Sequence, residues 1–346
     1  MIQKIALGAD LGWVSQLEAL GYSWIDDAGN ATDPILQCRK MGVNAVRLRI
    51  FVGPPEDAFW KKKEDETCML GYCDAERVLA VAKRVKALDM NLMLDFHYSD
   101  HFADPLLQDT PKAWENDTDE ELEERVYGHT KEVLTLFREN GVIPKWVQVG
   151  NEINPGIMLP HGSRKTAPKQ LIRFLNRGYD AVKEVCPDTQ VITHVAGVHN
   201  EEWCMPFWDN FFGNGGKTDI LGFSYYPYWY ERLDTTFYPD WYASKKDDQK
   251  MLRGWLEMYR QKYQKPVLIA EVGGEDTDVD GTYDLLCDCV EVLQSLPDGK
   301  GLGVFYWEPE VCREILPDHY PLGAARQIDD KTLQYTKALS AYKKYM

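Results

Sequence analysis

A single-domain (β/α)8 barrel spanning residues 1–346 is the fold that this chain predicts, and three observations carry it. Eight short apolar runs recur along the sequence, helical periodicities fill the intervals, and the longest connections all follow the carboxyl ends of the runs. The runs are Ile5 to Asp10, Asn44 to Ile50, Asn91 to Phe96, Lys145 to Gly150, Gln190 to Val195, Asp219 to Ser224, Pro266 to Glu271 and Leu302 to Trp307. Most are continuous rather than alternating, which is the pattern of parallel strands covered on both faces.

The intervals read as helices. Thr32 to Met41 opens on a capping Thr32, carries Pro34 in its first turn and stops at Gly42. Asp74 to Leu88 repeats apolar residues at Val78, Leu79, Val81, Ala82, Val85 and Leu88, a stripe with Lys and Arg opposite. Asp119 to Asn140, ended by Gly141, and Ala167 to Val185 follow the third and fourth strands. Glu201 to Phe212, Asp247 to Tyr263, Thr282 to Leu296 and Lys331 to Tyr345 complete the series. Eight alternations select a closed barrel over a doubly wound sheet. The long connections, Val52 to Cys73, His97 to Thr118 and Tyr225 to Lys246, then crowd the one face where barrel enzymes build their sites.

Composition excludes several partners. Lys and Arg number 39 against 55 acids, a net charge of −16 that argues against nucleic acid or an anionic membrane. No apolar run reaches the length of a membrane span. The N-terminus shows no basic, apolar leader, so the cytoplasm is the expectation for the sequence as it stands, and secretion if a leader has been trimmed. None of the eight cysteines forms a Cys-x-x-Cys pair; buried thiols are expected, with a Cys68–Cys73 disulfide as the alternative for an exported protein. Aromatic residues, including 11 Trp and 19 Tyr, are plentiful enough to serve sugar stacking as well as packing.

Two runs end on carboxylates. Trp146-Val147-Gln148-Val149 leads into Gly150-Asn151-Glu152, and Val267-Leu268-Ile269-Ala270 ends on Glu271. Acids delivered by strands four and seven lie across a barrel mouth, where a separation of roughly 5–5.5 Å suits a retaining glycosidase. Glu152 is then the general acid and base, and Glu271 the nucleophile. Either acid alone reads equally well as a solvated loop residue; the surrounding polar set favours catalysis.

That set includes Asn151, suited to a sugar hydroxyl beside the reacting carbon, and Arg47 and Arg49, which alternate along strand two and need acids in a barrel interior. Pairing with Arg would keep Glu271 ionised, and one of the two arginines is structural on this reading. His97 and Asp100, in the segment Asp95 to Pro105 with Tyr98, His101 and Asp104, could hold a metal. Further ligands would be needed, and His194 and His199 serve only if they turn inward, so hydrogen bonding to sugar hydroxyls is preferred and no metal or cofactor is expected. Trp229 and Trp307 offer faces to pyranose rings, with core packing as the plainer use; Tyr226 divides evenly between the two. Tyr225 could hydrogen bond Glu271, and Asp10 at the end of strand one could contact substrate or cap a loop.

Taken in order, Gly8-Ala9-Asp10, Gly42 to Arg49, Asp95 to Asp100, Ala103-Asp104-Pro105, Trp146 to Asn154 and Ser224 to Pro227 resemble the arabinogalactan endo-β-1,4-galactanases of glycoside hydrolase family 53. The resemblance implies a retaining hydrolase of β-1,4-galactan side chains of pectin or their oligosaccharides. Glu152 takes the acid/base position, Glu271 the nucleophile, and Arg47, Asn151, Tyr225 and Trp307 the supporting positions. Three stretches depart from the family pattern: His101-Phe102, Ile157-Met158-Leu159-Pro160 and Val272-Gly273-Gly274. They put the outer aromatic platforms in question, and the acidic calcium loop of some members has no counterpart. The expected partner is a galactan or galacto-oligosaccharide bound by a monomer. A related barrel glycosidase on β-mannan or β-glucan, and a sugar-binding barrel without catalysis, are the competing readings.

Overall fold

The computed structural model describes residues 5–232 and 248–346. Eight parallel strands close into a barrel: β1 Ala6–Asp10, β2 Ala45–Ile50, β3 Asn91–Phe96, β4 Trp146–Val149, β5 Gln190–Val195, β6 Ile220–Tyr225, β7 Val267–Val272 and β8 Gly301–Tyr306. Each pairs with its neighbours in sequence, and β1 closes on β8 through Ala6 opposite Gly303. All eight predicted strands are present to within about two residues.

The side chains inside the barrel form two layers. The lower one is apolar and draws on every strand: Ala6, Ala45, Met93, Trp146, Ile192, Ile220, Leu268 with Ala270, and Leu302 with Phe305. Phe305 fills space that a Cβ on Gly8 would occupy, since such an atom would lie 2.2 Å from its ring. Two residues on, toward the carboxyl ends, the same faces carry Arg47, Asp95, Gln148 and His194, all buried. Residues of opposite parity, such as Val46, Leu94, Val147 and Leu221, join the large shell packed under the helices.

The helices follow the strands. Asp33, rather than Thr32, caps α1 (Pro34–Lys40) through Leu36 N; the carboxylate reaches this amide from the residue just before Pro34. Asp74 caps α2 (Ala75–Ala87), and Thr118 with Glu121 forms a capping box on α3 (Asp119–Glu139). Next come α4 (Pro168–Val185), α5 (Glu201–Gly213), α6 (Asp248–Tyr263) and α7 (Val279–Ser295).

The eighth helix differs from expectation. Thr332–Tyr335 is a strand, paired antiparallel with Ala325–Asp329 and parallel with Ser23–Ile25, and only Lys337–Tyr345 is helical, as a 3-10 helix. Thr332-Leu333-Gln334-Tyr335 alternates and is rich in β-formers, so the outer sheet takes it as an inner strand, between Ala325–Asp329 and Ser23–Ile25. The connection after β2 holds a hairpin, Phe59–Lys63 with Glu66–Met69. The connection after β6 begins with a short helix, Pro227–Arg232, and its remainder, residues 233–247, lies outside the described residues. All eight cysteines are buried free thiols, including Cys68 and Cys73. No described helix is long and apolar enough to cross a membrane.

Candidate active site

Glu152 and Glu271 line one cavity of about 370 Å³ at the carboxyl ends of the strands. Two local devices aim them there. After β4 the chain reverses through Gly150, at φ 81°, and Glu152 itself takes a left-handed φ of 48°, a conformation a side chain of this kind holds only when its surroundings over-determine it. On β7 the register against β6 slips: Phe223 faces Ile269 but Ser224 faces Glu271. Leu268 and Ala270 already point inward, so strict alternation would turn Glu271 toward the helices. The extra residue of the bulge brings it back to the mouth.

Arg47 organises the floor. Its Nη1 donates to Asp10 Oδ2 at 2.6 Å and Glu271 Oε1 at 2.9 Å, and its Nη2 donates to Asp95 Oδ2 at 2.7 Å and Asn151 Oδ1 at 2.8 Å. Three carboxylates thus surround one guanidinium out of water, and they do not respond alike. Burial works against the charge of Asp95, but Arg47 and His97 outweigh it and its pKa falls below the ordinary value. At Asp10 burial wins over Arg47, assisted by the charges of Glu308 and Glu271, and the pKa rises well above that value. Tyr226 donates to Glu271 Oε2 at 3.0 Å; burial and the Glu271 charge push the phenol well above its usual pKa, so it remains a donor. Both Glu271 oxygens therefore have donors, which orients a carboxylate for attack.

Glu152 is half-buried, and Ser224 Oγ meets its Oε1. Burial first, then the charge of Glu271, raise its pKa well above the ordinary carboxylate range against the opposing pull of Ser224 and Arg47. Two acids with different surroundings, one with its pKa raised by burial and one clamped by an arginine, face the same cavity, which is the arrangement that a general acid and a nucleophile require.

Of the substrate-binding residues expected from the sequence, His97, Asn151, Trp229 and Trp307 line the cavity. His97 Nδ1 accepts from Ala103 N at 2.9 Å, so Nε2 carries the hydrogen and donates to Asp95 Oδ2. Asn151 spends one amide hydrogen on Ala103 O, leaving the second for a ligand. Asp10 and Arg47 stand beneath the floor and act on Glu271 rather than on substrate.

Arg49, Asp100 and Tyr225 do not line the cavity. Arg49 ion-pairs with Glu308, donates to Leu70 O and packs 4.8 Å from the Phe102 ring centroid and 5.3 Å from that of Trp13, supporting the aromatic wall from behind. Asp100 accepts from Gly53 N and Lys112 N, bracing two loops. Tyr225 shares the outward parity of Leu221 and Phe223 and packs in the shell, so the neighbouring Tyr226 bonds Glu271 instead. No group of three or more His, Cys, Asp or Glu side chains among the described residues could hold a metal ion.

Sequence reasoning missed Tyr226 as the nucleophile's partner, the Asp95–Gln148–His194–Ser224 network, and the aromatics Trp13, Trp60 and Tyr320. Parity along β6 does not single out Tyr226, because apolar Ile220 faces inward while apolar Leu221 and Phe223 face outward. Trp60 comes from the hairpin after β2, stacks on His101 with ring centroids 4.0 Å apart and planes within 10°, and lines the cavity. As a sugar platform it should be replaceable at a cost in affinity: Trp60→Ala is expected to raise KM for galactan oligosaccharides roughly 3–10-fold with little change in kcat. Steady-state kinetics on both parameters checks this, and an unchanged KM removes Trp60 from the substrate path.

Comparison with known proteins agrees with this geometry. The profile of glycosyl hydrolase family 53 matches residues 6–342. An arabinogalactan endo-beta-1,4-galactanase of Cellvibrio japonicus is 30% identical over 334 residues, covering 88% of this chain and 80% of its own. The endo-beta-1,4-galactanase of Bacillus subtilis is 29% identical over 325 residues, covering 87% and 69%. Among solved structures, the Ignisphaera aggregans GH53 catalytic domain superposes with a TM-score of 0.80 at 26% identity, over 99% of this chain and 96% of that one. A match that runs from the first barrel strand to the last helical turn, on a site built from both carboxylate-bearing strands, places this chain in glycosyl hydrolase family 53.

Proposed function

We propose that the protein is a retaining endo-β-1,4-galactanase acting on galactan or arabinogalactan side chains of pectin and their oligosaccharides. The observation that carries this reading is the unlike pair of acids in one sugar-sized cavity, on a chain of the galactanase family. Glu271 attacks the anomeric carbon while Glu152 protonates the leaving oxygen; a covalent galactosyl-enzyme forms, and Glu152, now a carboxylate, draws a proton from the water that releases it. Arg47 and Tyr226 hold Glu271, Asn151 addresses a hydroxyl of the reacting sugar, His97 lines the cavity with both ring nitrogens already bonded, and Trp307, Trp229 and Trp60 supply apolar faces. Digestion of linear β-1,4-galactan, with product lengths followed over time, tests the activity. Early oligosaccharides of mixed length support endo action, and no release from galactan overturns the reading.

The acid role has its own signature. Because Glu152 must carry a proton to work and its pKa is raised, kcat/KM should hold above the ordinary carboxylate range and fall on the alkaline side as Glu152 ionises. Glu152→Gln should abolish that alkaline limb and lower turnover of galactan by orders of magnitude. An aryl galactoside whose leaving group needs no proton should still react to form the covalent intermediate. Equal losses on both substrates would deny Glu152 the acid role.

A further inference from the structure

A second pair of acids lies behind the cavity wall. Glu308 and Glu310 follow β8, one on either side of Pro309, and both are fully buried. Glu308, directly after Trp307, takes a left-handed φ of 53° that only fixed surroundings maintain. Its Oε1 ion-pairs with Arg49 Nη1 and accepts from Gly12 N at 3.2 Å; its Oε2 accepts from Gly12 N at 3.1 Å and Trp13 N at 3.2 Å. Each Glu308 oxygen therefore has donors.

Glu310 is served differently. Trp13 N also reaches its Oε1, at 3.1 Å, while its Oε2 is buried and meets no donor from another described residue. A carboxylate oxygen in that position bears the full cost of lost hydration. A carboxylic acid has a hydrogen to give, and Glu308 stands within hydrogen-bond reach to take it. Charge points the same way, because two ionised carboxyls in contact out of water repel each other and Arg49 pairs with Glu308 alone of the two. Burial first, then the charge of Glu308 and the hydrogen bond with it, raise the pKa of Glu310 well above the ordinary value, against the pull of its own amide and that of Trp13.

We propose that Glu310 is a neutral carboxylic acid that donates to Glu308 and acts as a positioning residue for the sugar-binding wall. The route is short. Glu308 fixes Arg49, whose guanidinium carbon lies 5.3, 4.8 and 5.9 Å from the ring centroids of Trp13, Phe102 and Trp307. These rings pack edge to face, Trp13 and Trp307 with centroids 5.3 Å apart, and all three line the cavity. The proton itself does not depend on the galactanase reading; its effect on substrate does.

The groups facing Glu310 are Glu308 on its own segment, Trp13 N after β1, Cys38 from α1 and Tyr335 from the outer sheet. Those facing Glu308 are Arg49 from β2, Asp10 from β1, Cys73 before α2 and Tyr320 from the segment after β8. Arg49 is the only cation in either set.

Glu310→Gln supplies an amide that still donates to Glu308 and cannot ionise. An infrared difference spectrum at neutral pH, unaltered protein minus Glu310→Gln, should show the carbonyl stretch of an un-ionised carboxyl group. Carboxylate stretches in its place overturn the proposal. Linkage gives a second readout, since the fold holds a proton that the unfolded chain releases above ~4.3. Relative to Glu310→Gln, the folding equilibrium constant of the unaltered protein should fall about tenfold per pH unit above that value, until Glu310 ionises in the fold. A ratio that does not change with pH overturns the neutral acid.

The positioning role is read in kinetics. Glu310→Gln should keep KM and kcat for galacto-oligosaccharides within about twofold, whereas Glu310→Leu, with no hydrogen to give, should raise KM about 3–10-fold with kcat little changed. Glu310→Met serves the same comparison if the leucine variant does not fold. An unaltered KM in the apolar variant, or equal losses in it and in Glu310→Gln, overturns the role. Failure of the galactanase reading looks different: the unaltered protein would release nothing from galactan, with the infrared band still present.

Discussion

Glu271→Ala is expected to lower kcat on galactan on the order of 10⁴-fold or more, with azide restoring part of the rate and yielding an α-configured galactosyl azide. The expectation follows from how the carboxylate is held. Arg47 and Tyr226 each take one of its oxygens, and nothing else of nucleophilic character among the described cavity residues shares that clamp. Removing it leaves Glu152 intact as an acid and opens a space that a small anion beside Arg47 can enter. The inverted azide product would show that Glu271 attacks the sugar from the face opposite the leaving group. A variant that keeps a tenth of the activity, or an azide product of β configuration, would remove Glu271 from the nucleophile role.

Arg47→Met should have the largest effect on stability. The guanidinium binds Asp10, Asp95 and Glu271 together, with Asn151 as a fourth acceptor, and all of these side chains are buried. An apolar replacement leaves buried acids without their cation, and losing one partner of such a cluster costs roughly 3–5 kcal/mol. Arg47→Lys keeps the charge but not the fork that reaches four acceptors, so its loss should be smaller yet clear.

The pH dependence has a definite sign. Asp95, whose pKa is lowered in the fold, contributes stability that is present above its unfolded value near ~3.9 and disappears as pH falls through the folded value. In Arg47→Met that contribution is gone at neutral pH, and protonation relieves the unpaired acids, so the deficit should narrow on acidification. Denaturant unfolding at neutral and acid pH measures it; a deficit independent of pH would mean that packing, not charge, is what Arg47 supplies.

Much of this was legible in the residues. Continuous apolar runs demand cover on both faces, and eight of them alternating with helical stripes leave few arrangements other than a closed barrel. The carboxylates were visible for the same reason: Glu152 and Glu271 end runs whose other residues belong in a core. His97, Asn151 and Trp307 could be placed at the mouth because strand ends and their following loops all emerge there. The Lys331 to Tyr345 helix was misread because helix and strand compete closely over a short segment, and pairing with Ser23–Ile25, some 300 residues away, decided between them.

Other assignments turned on partners that no local pattern reveals. Arg47 and Arg49 have the same parity and the same chemistry, yet one meets Glu271 and the other Glu308, because they lie at different depths in the cylinder. Tyr225 and Tyr226 differ only in which way the strand's pleat turns them.

The sequence by itself determined the barrel, the pair of acids and the face on which they meet, because burial on both sides of a strand writes itself into composition. Which way Glu271 points and which tyrosine holds it were decided by tertiary structure. A one-residue bulge on β7 reverses the outcome of simple alternation, and Tyr226 meets Glu271 only across the seam between β6 and β7. Both are properties of contacts between strands, and those exist only once the cylinder has closed.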